Sequence, residues 1–405
     1  MTRTTTFDVN AIRAQFPALR GGAAHFDGPG GSQTPDTVAD AIRHAMLSPL
    51  ANRGTITRAE RNAEEIVGQC RRALGDLLNA DPDGVIFGRS MTAVTFDLSR
   101  TLSATWRSGD EIVVSRLDHD ANVRPWIIAA DKAGVVVRWA DFDPATGELP
   151  VANVEAQLSP RTQLVAITAA SNLIGTMPDI KAVAAVTRSA GALLYVDGVH
   201  YTAHYPVDFN ELNADFFACS PYKFLGPHCG VVAARPDILA DLHPDKVLPS
   251  PDRVPERFEL GTLPYELMAG TTAAVDFLAT MADGTGDRRE RLVSSMNACA
   301  RHEDHLRDTI EDGLRQLPGT TIYSRAQRRT PTLLTTFAGR DPRDVSVFLA
   351  DRGVNAPAGS FYGYEPARHL GLGGAGGVRI GLAPYNDLDD VQRLLDALTL
   401  LPRVD

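Results

Sequence analysis

The sequence predicts an α/β protein with a mostly parallel central sheet flanked by helices and a smaller α+β carboxy-terminal domain. Between about residues 60 and 235, short apolar runs alternate with helical patterns, the signature of parallel strands joined by crossover helices. Beyond Gly261 the pattern changes to long helical stretches, then short strands and a closing helix. A length of 405 residues also favours two lobes over one core.

Candidate strands are Val85–Phe87, Glu111–Ser115, Val135–Trp139, Gln163–Thr168, Ala192–Val196 and Asp215–Ala218. Between them the spacing predicts helices at Met91–Trp106, Asn122–Lys132, Val151–Leu158 and Ile180–Ser189. The last is opened by Pro178 and Asp179 and closed by Gly191. The later helices are expected at Tyr265–Met281, Arg288–Leu317 and Leu388–Leu400. The chain accordingly divides into an amino-terminal arm at 1–20 packing on the small domain, a large domain at 21–262 and a small domain at 263–405. The turn-rich LHPDKVLPSPDRVPERF forms an irregular connection.

A net charge of −10 argues against nucleic acid or an anionic membrane as partner, because both need a basic field. No stretch approaches the about 20 apolar residues that span a bilayer, and the amino terminus lacks the apolar core of a signal peptide. Cys70, Cys219, Cys229 and Cys299 are widely spaced with no CxxC pair, so neither a zinc site nor a disulfide framework is indicated. His200 and His204 are four apart but lack the HExxH context, and no metal is expected there. GLGGAG at 371–376 has no clear strand before it and is read as a turn that brings Arg379 into place. A cytoplasmic enzyme acting on a small molecule fits these bounds.

In open α/β sheets, ligands sit beyond the carboxyl ends of the strands. ALLYVDGVH delivers Asp197 at such an end. One strand later, ADFFACSPYKFLGPHCG sets Lys223 among apolar and aromatic residues beside Ser220 and Tyr222, where desolvation lowers an amine pKa and favours imine formation. FGRSMTAVTFDLSR reads strand, turn, helix, so the amides near Met91 and Thr92 face an anion, and Thr92 adds a hydroxyl. EIVVSRLDHDANVRPW puts His119 just past a strand, able to lie on a flat ring, and AITAASNLIGT offers Asn172. Singly, these are an ordinary turn aspartate, solvated lysine, helix cap, loop histidine and turn asparagine. Together they meet the requirements for gripping pyridoxal 5′-phosphate (PLP): an amine for its aldehyde, a carboxylate for its ring nitrogen, donors for its phosphate and a flat group on its ring.

The segments DEIVVSRLDHDANVRPW, AASNLIGT, YVDGVH, CSPYKFLGP, RFELGT and VRIGLAPYN resemble, in this order, those of the class V aminotransferase family of fold type I PLP enzymes, and are most similar to its cysteine desulfurase branch. The resemblance implies that Lys223 binds the aldehyde, Asp197 the pyridinium nitrogen and Asn172 the ring oxygen, with His119 stacked on the ring. It implies phosphate contacts from Thr92, Ser220 and Tyr222, with Met91 and His200 also at the cofactor. Thr262 matches a residue given to the neighbouring subunit's site, which implies a homodimer. Arg379 matches an arginine that clamps a substrate carboxylate, and Gly28 and Arg53 are expected beside the substrate.

The family pattern has a glutamine where this chain has His200 and a histidine where it has Tyr222. The loop that bears the persulfide-forming cysteine in desulfurases reads NAPAGSFYGYEP here, with no cysteine after Cys299. The expected activity is therefore β-elimination, a carbon–sulfur lyase acting on an amino acid. Transamination, epimerisation or cyclisation is the alternative, and a non-catalytic relative is a third reading.

Overall fold

The protein is represented by a computed structural model that describes residues 7–402. In chain order its strands are β1 (Ala24–His25), β2 (Val85–Gly88), β3 (Glu111–Ser115), β4 (Val136–Ala140), β5 (Thr162–Thr168), β6 (Leu193–Asp197), β7 (Phe216–Cys219), β8 (Gly230–Ala234), β9 (Thr320–Ile322), β10 (Thr332–Phe337), β11 (Val354–Asn355), β12 (Ala358–Gly359) and β13 (Gly377–Gly381). Seven of them form the central sheet in the order β2-β8-β7-β6-β5-β3-β4. From β7 to β4 all neighbours are parallel, while β8 runs antiparallel to both β7 and β2.

The middles of the central parallel strands, residues 112–114, 164–167 and 193–196, are continuous apolar runs because helices cover both faces, with polar residues confined to the strand ends. β4, at the edge, instead alternates exposed and half-buried positions and carries Arg138. Crossover helices start where capping chemistry starts them. Ser90 accepts from the Ala93 amide at 3.1 Å to open Met91–Ser103, and Asp179 accepts from Ala182 at 3.1 Å to open Ile180–Ser189. Two close approaches require glycine. A Cβ on Gly198 would lie 1.9 Å from the Phe217 ring, and one on Gly230 would lie 2.1 Å from the Met91 amide nitrogen. The first lets the chain turn tightly after Asp197. The second seats β8 against the start of the Met91–Ser103 helix.

The small domain carries the antiparallel sheet β12-β13-β10-β9, with β1 and β11 paired in parallel beside it. Its core, including Leu306, Ile310, Leu333, Ile380 and Leu394, is separate from the two cores that sandwich the large sheet. The Tyr265–Leu278 helix packs on the Asp36–Leu47 and Arg58–Leu78 helices, and the long Arg288–Gln316 helix contributes Leu292 and Met296 to a core of the large sheet and Leu306 and Ile310 to that of the small domain. Ahead of β1, Arg13 is bound to Asp387 at 3.0 Å and Asp390 at 2.7 Å, and Phe16 packs edge-on against Tyr385. The first six residues of the expected arm lie outside the described residues.

β8 was not among the expected strands. Its GVVAA run is buried at every position, and a short continuous apolar run carries no period that separates strand from helix. No helix of the described residues is long and apolar enough to cross a membrane.

Candidate active site

A cavity of about 620 Å³ opens at the carboxyl ends of β3, β5, β6 and β7, within the size range of small-molecule sites. Asp197, the last residue of β6, is buried in its floor. One carboxylate oxygen accepts the Val199 amide at 2.9 Å, and the other has no hydrogen bond among the described residues. Burial raises this carboxyl to about 6, against the pull of the Val199 amide and the Lys223 charge.

Lys223 ends the short turn Pro221–Lys223 that follows β7. Its Nζ donates to the Pro29 carbonyl and lies 4.7 Å from the centre of the Tyr222 ring. Burial, reinforced by the Arg379 charge, lowers its pKa to about 7 although Asp197 raises it, so a neutral amine is accessible near pH 7. Tyr222 is fixed by parallel stacking on His228, with centroids 4.6 Å apart and planes 8° from parallel.

His119 also lines the cavity. The Ala121 amide donates to its Nδ1 at 3.0 Å, which leaves the imidazole proton on Nε2. Burial, first, and then the nearby Lys223 charge lower its pKa to about 4, so the ring is neutral. Behind it, Asn122 donates to the buried Asp118 carboxylate at 2.7 Å and accepts from Trp126 at 3.1 Å, a fixed base for the histidine turn. Ser90, Met91, Thr92 and Ser220 complete one end of the cavity. The first amides of the Met91–Ser103 helix have no intrahelical acceptor, and they project toward that end.

At the opposite end Arg379, on β13, is buried and reaches the cavity. It donates to the Asn172 carbonyl at 2.9 Å, and the Phe361 ring covers its guanidinium face at 3.7 Å. Burial lowers its pKa to about 9 despite the nearby Asp27. Asn172 donates to the Phe361 carbonyl at 2.9 Å, while its own Oδ1 and the Arg379 Nε are buried without a partner among the described residues. His200 lines the wall with Nε2 at 2.9 and 3.0 Å from the Thr330 and Thr332 hydroxyls, and burial keeps it neutral. The Nδ1 of its neighbour His204 donates to the Glu303 carboxylate at 2.9 Å, and among the described residues no group of side chains suits a metal ion.

Ten of the expected site residues converge on the cavity: Lys223, Asp197, His119, Asn172, His200, Met91, Thr92, Ser220, Tyr222 and Arg379. Thr262 is exposed and lies outside the cavity of its own chain. Two of the expected residues do not line this cavity. Gly28 does not form the wall; Pro29 and Gly30 do, while Gly28 is buried against the Leu382 carbonyl, 2.9 Å from where a Cβ would sit. Arg53 is held instead by Glu64, at 2.8 and 2.9 Å, and Glu256, at 3.0 Å, and does not reach the cavity of its own chain.

The sequence did not mark Phe96 or Arg124, and it marked Phe361 and Tyr362 only as members of the loop NAPAGSFYGYEP; all four line the cavity. Phe361 and Tyr362 have φ of 53° and 58°, a left-handed conformation that costs about 1–2 kcal/mol per non-glycine residue. The loop is held there by Asn172 donating to the Phe361 carbonyl and the Asp120 amide donating to that of Tyr362 at 2.8 Å. The resemblance of this loop to the persulfide-bearing one was its signal in the sequence.

The donors fit PLP. A buried carboxylate with a free oxygen suits a ring nitrogen, a neutral imidazole lines the same space, a helix amino terminus suits a phosphate, and a desolvated amine suits an aldehyde. This fold and cavity define a PLP-dependent enzyme. The aminotransferase class-V profile matches residues 24–394, and the chain belongs to that family. It is 33% identical to an uncharacterised protein of Mycobacterium tuberculosis over 98% of this chain and 99% of the relative. It is 30% identical to an aminotransferase-like protein, FGM3, of Gibberella zeae, again over 98% and 99%. The crystal structure of the cysteine desulfurase CsdA of Escherichia coli superposes with a TM-score of 0.86 at 27% identity, covering 97% of this chain and 98% of that one.

Proposed function

We propose that the protein is a PLP-dependent lyase that breaks the bond between the β-carbon and a sulfur substituent of an amino acid, without a protein persulfide. The observation that carries this is the state of the cysteines. All four are buried, none lines the cavity, and burial raises each thiol, Cys229 to about 12 and the others further. The loop beside the cavity offers Ser360, Phe361 and Tyr362, none able to carry sulfur.

PLP, when bound, supplies an aldehyde for the substrate amine and a ring that withdraws electrons from the α-carbon. In our assignment Lys223 would hold the aldehyde, and its Nζ, with a pKa near 7, would serve as the base for the substrate α-proton. Asp197 would pair with the ring nitrogen, and the neutral His119 would lie against the ring. Asn172 and His200 face the ring oxygen, and Met91, Thr92, Ser220 and Tyr222 the phosphate. Arg379 fixes the substrate carboxylate through its planar donors. The α-proton leaves to Lys223, the carbon–sulfur electrons leave with sulfur, and the thiol takes a proton. Overall, R–S–CH2–CH(NH3+)–COO− and water give R–SH, pyruvate and ammonium.

We further assign the enzyme to the cytoplasm, which four unpaired thiols favour, and to a homodimer in which Thr262 reaches the neighbouring site. Support for the latter is that Thr262 is exposed beside the exposed Leu260.

With a cysteine S-conjugate, single Cys→Ala replacements at all four positions are expected to keep pyruvate formation within about threefold, since a buried thiol takes no part. No protein-bound sulfur should be trapped. A replacement that folds, abolishes sulfur release and removes a persulfide trapped on the parent residue would overturn the lyase assignment. A new amino acid in place of pyruvate, given an amine acceptor, would favour transamination. Arg379→Ala should raise KM about 100-fold, because a charge-assisted pair of hydrogen bonds of about 3 kcal/mol is lost. Its cofactor absorption should persist, and an unchanged KM would remove Arg379 from substrate binding.

A further inference from the structure

The active-site cavity continues outward. Asp120, Arg124, Phe361 and Tyr362 line both it and a second chamber of about 820 Å³ that also takes in Tyr364 and Arg368. Phe361 lines both, with its ring over the Arg379 guanidinium. The outer chamber has an unusual composition for a solvent-facing mouth. Tyr362 is 77% exposed and Tyr364 47% exposed, and the loop that presents Tyr362 is held left-handed at two successive non-glycine residues. Arg124 is neutralised by Asp120 at 2.9 Å and Glu365 at 3.6 Å. Arg368 has no carboxylate partner among the described residues; it donates to the Tyr364 hydroxyl at 2.6 Å, with its guanidinium 5.1 Å from that ring's centre.

We propose that this outer chamber is the subsite for the leaving group, and that the enzyme selects cysteine S-conjugates whose sulfur carries an aromatic group ending in an anion. This rests on the elimination assignment above. With the α-carboxylate at Arg379 and the amine at the cofactor aldehyde, the side chain of a small substrate leaves the outer chamber unused. A planar group extending past Phe361 meets the exposed Tyr362 ring, which suits offset stacking, and the edge of Tyr364, whose face lies by the Arg368 guanidinium. A terminal carboxylate then reaches Arg368, whose planar donors are uncommitted to an acid.

The test uses the purified, PLP-loaded full chain with S-methyl-, S-benzyl- and S-(4-carboxybenzyl)-L-cysteine. Pyruvate release gives kcat/KM, and perturbation of the cofactor absorption by a non-cleavable analogue of each, with methylene in place of sulfur, gives Kd. The S-benzyl compound is expected to exceed S-methyl by about tenfold or more in kcat/KM, and its analogue to bind tighter by a similar factor. Tyr362→Ala should reduce that ratio about tenfold. Arg368→Ala should reduce the carboxybenzyl-to-benzyl ratio about threefold, as an exposed ion pair allows. Equal kcat/KM and equal Kd for methyl and benzyl compounds would overturn the subsite. Absence of pyruvate from every compound, with the Kd ratio intact, would overturn elimination and leave the subsite standing.

Discussion

Lys223→Ala is expected to abolish the visible absorption of the lysine-bound cofactor and to lower turnover by roughly 10³-fold, the range associated with loss of a catalytic base. The chain has four lysines, and only this one enters the cavity. Lys181 and Lys246 are paired with Glu211 at 2.9 Å and Asp252 at 3.0 Å, and Lys132 is exposed. None of those three lines the cavity. Lys223 sits over the Tyr222 ring, desolvated, with the Arg379 charge nearby, so its amine is neutral for a substantial fraction of the time at pH 7. The check is borohydride reduction of the holoenzyme followed by peptide mapping. Pyridoxyl label on any other lysine, or a retained absorption band in the variant, would remove Lys223 from the site.

What could be read from the sequence was what is written locally. Asp197 and Lys223 each follow a short apolar strand within a few residues, and Met91 and Thr92 follow a strand and open a helix, so their proximity follows from the rule that strand ends share a crevice. The crossover helix Ile180–Ser189 matched the structure at both ends because Asp179 caps it and Gly191 follows it closely. What was not legible is where position depends on distant partners. Arg53 has the donors for a substrate carboxylate, but Glu256, 203 residues away, completes an acidic pair with Glu64 that satisfies it first. Gly28 and Gly30 are indistinguishable as letters in DGPGG, and only packing against Leu382 decides which one is buried away from the cavity. Phe361 and Tyr362 belong to the small domain by sequence and to the active site by the hydrogen bonds they accept from Asn172 and Asp120. No periodicity in SFYGYEP encodes those contacts.

The expected consequence of Asp197→Asn separates two effects of one carboxylate. In the cofactor-free protein, burial has raised its pKa from 3.8 to about 6. Below about pH 4 the group is neutral in folded and unfolded chains alike and costs nothing. As pH rises toward 6 the unfolded chain ionises first, stability falls, and above about 6 the full cost is present. Asparagine never ionises, so the cofactor-free variant should be the more stable at pH 7, by an amount on the order of 2–3 kcal/mol. The PLP-loaded enzyme should respond in the opposite sense. There a protonated ring nitrogen stabilises the Asp197 carboxylate, and the carboxylate in turn keeps that nitrogen protonated through the reaction. Asparagine retains the size and a hydrogen bond but supplies no charge, so PLP should still bind while turnover falls about 10²–10³-fold, as for the loss of one preorganised electrostatic partner. Thermal unfolding of the cofactor-free pair at pH 7 and pyruvate formation by the loaded pair measure the two effects independently. Near-normal turnover would exclude Asp197 as the partner of the ring nitrogen, and a lower melting temperature for the cofactor-free variant would show that the carboxylate is not destabilised by its burial.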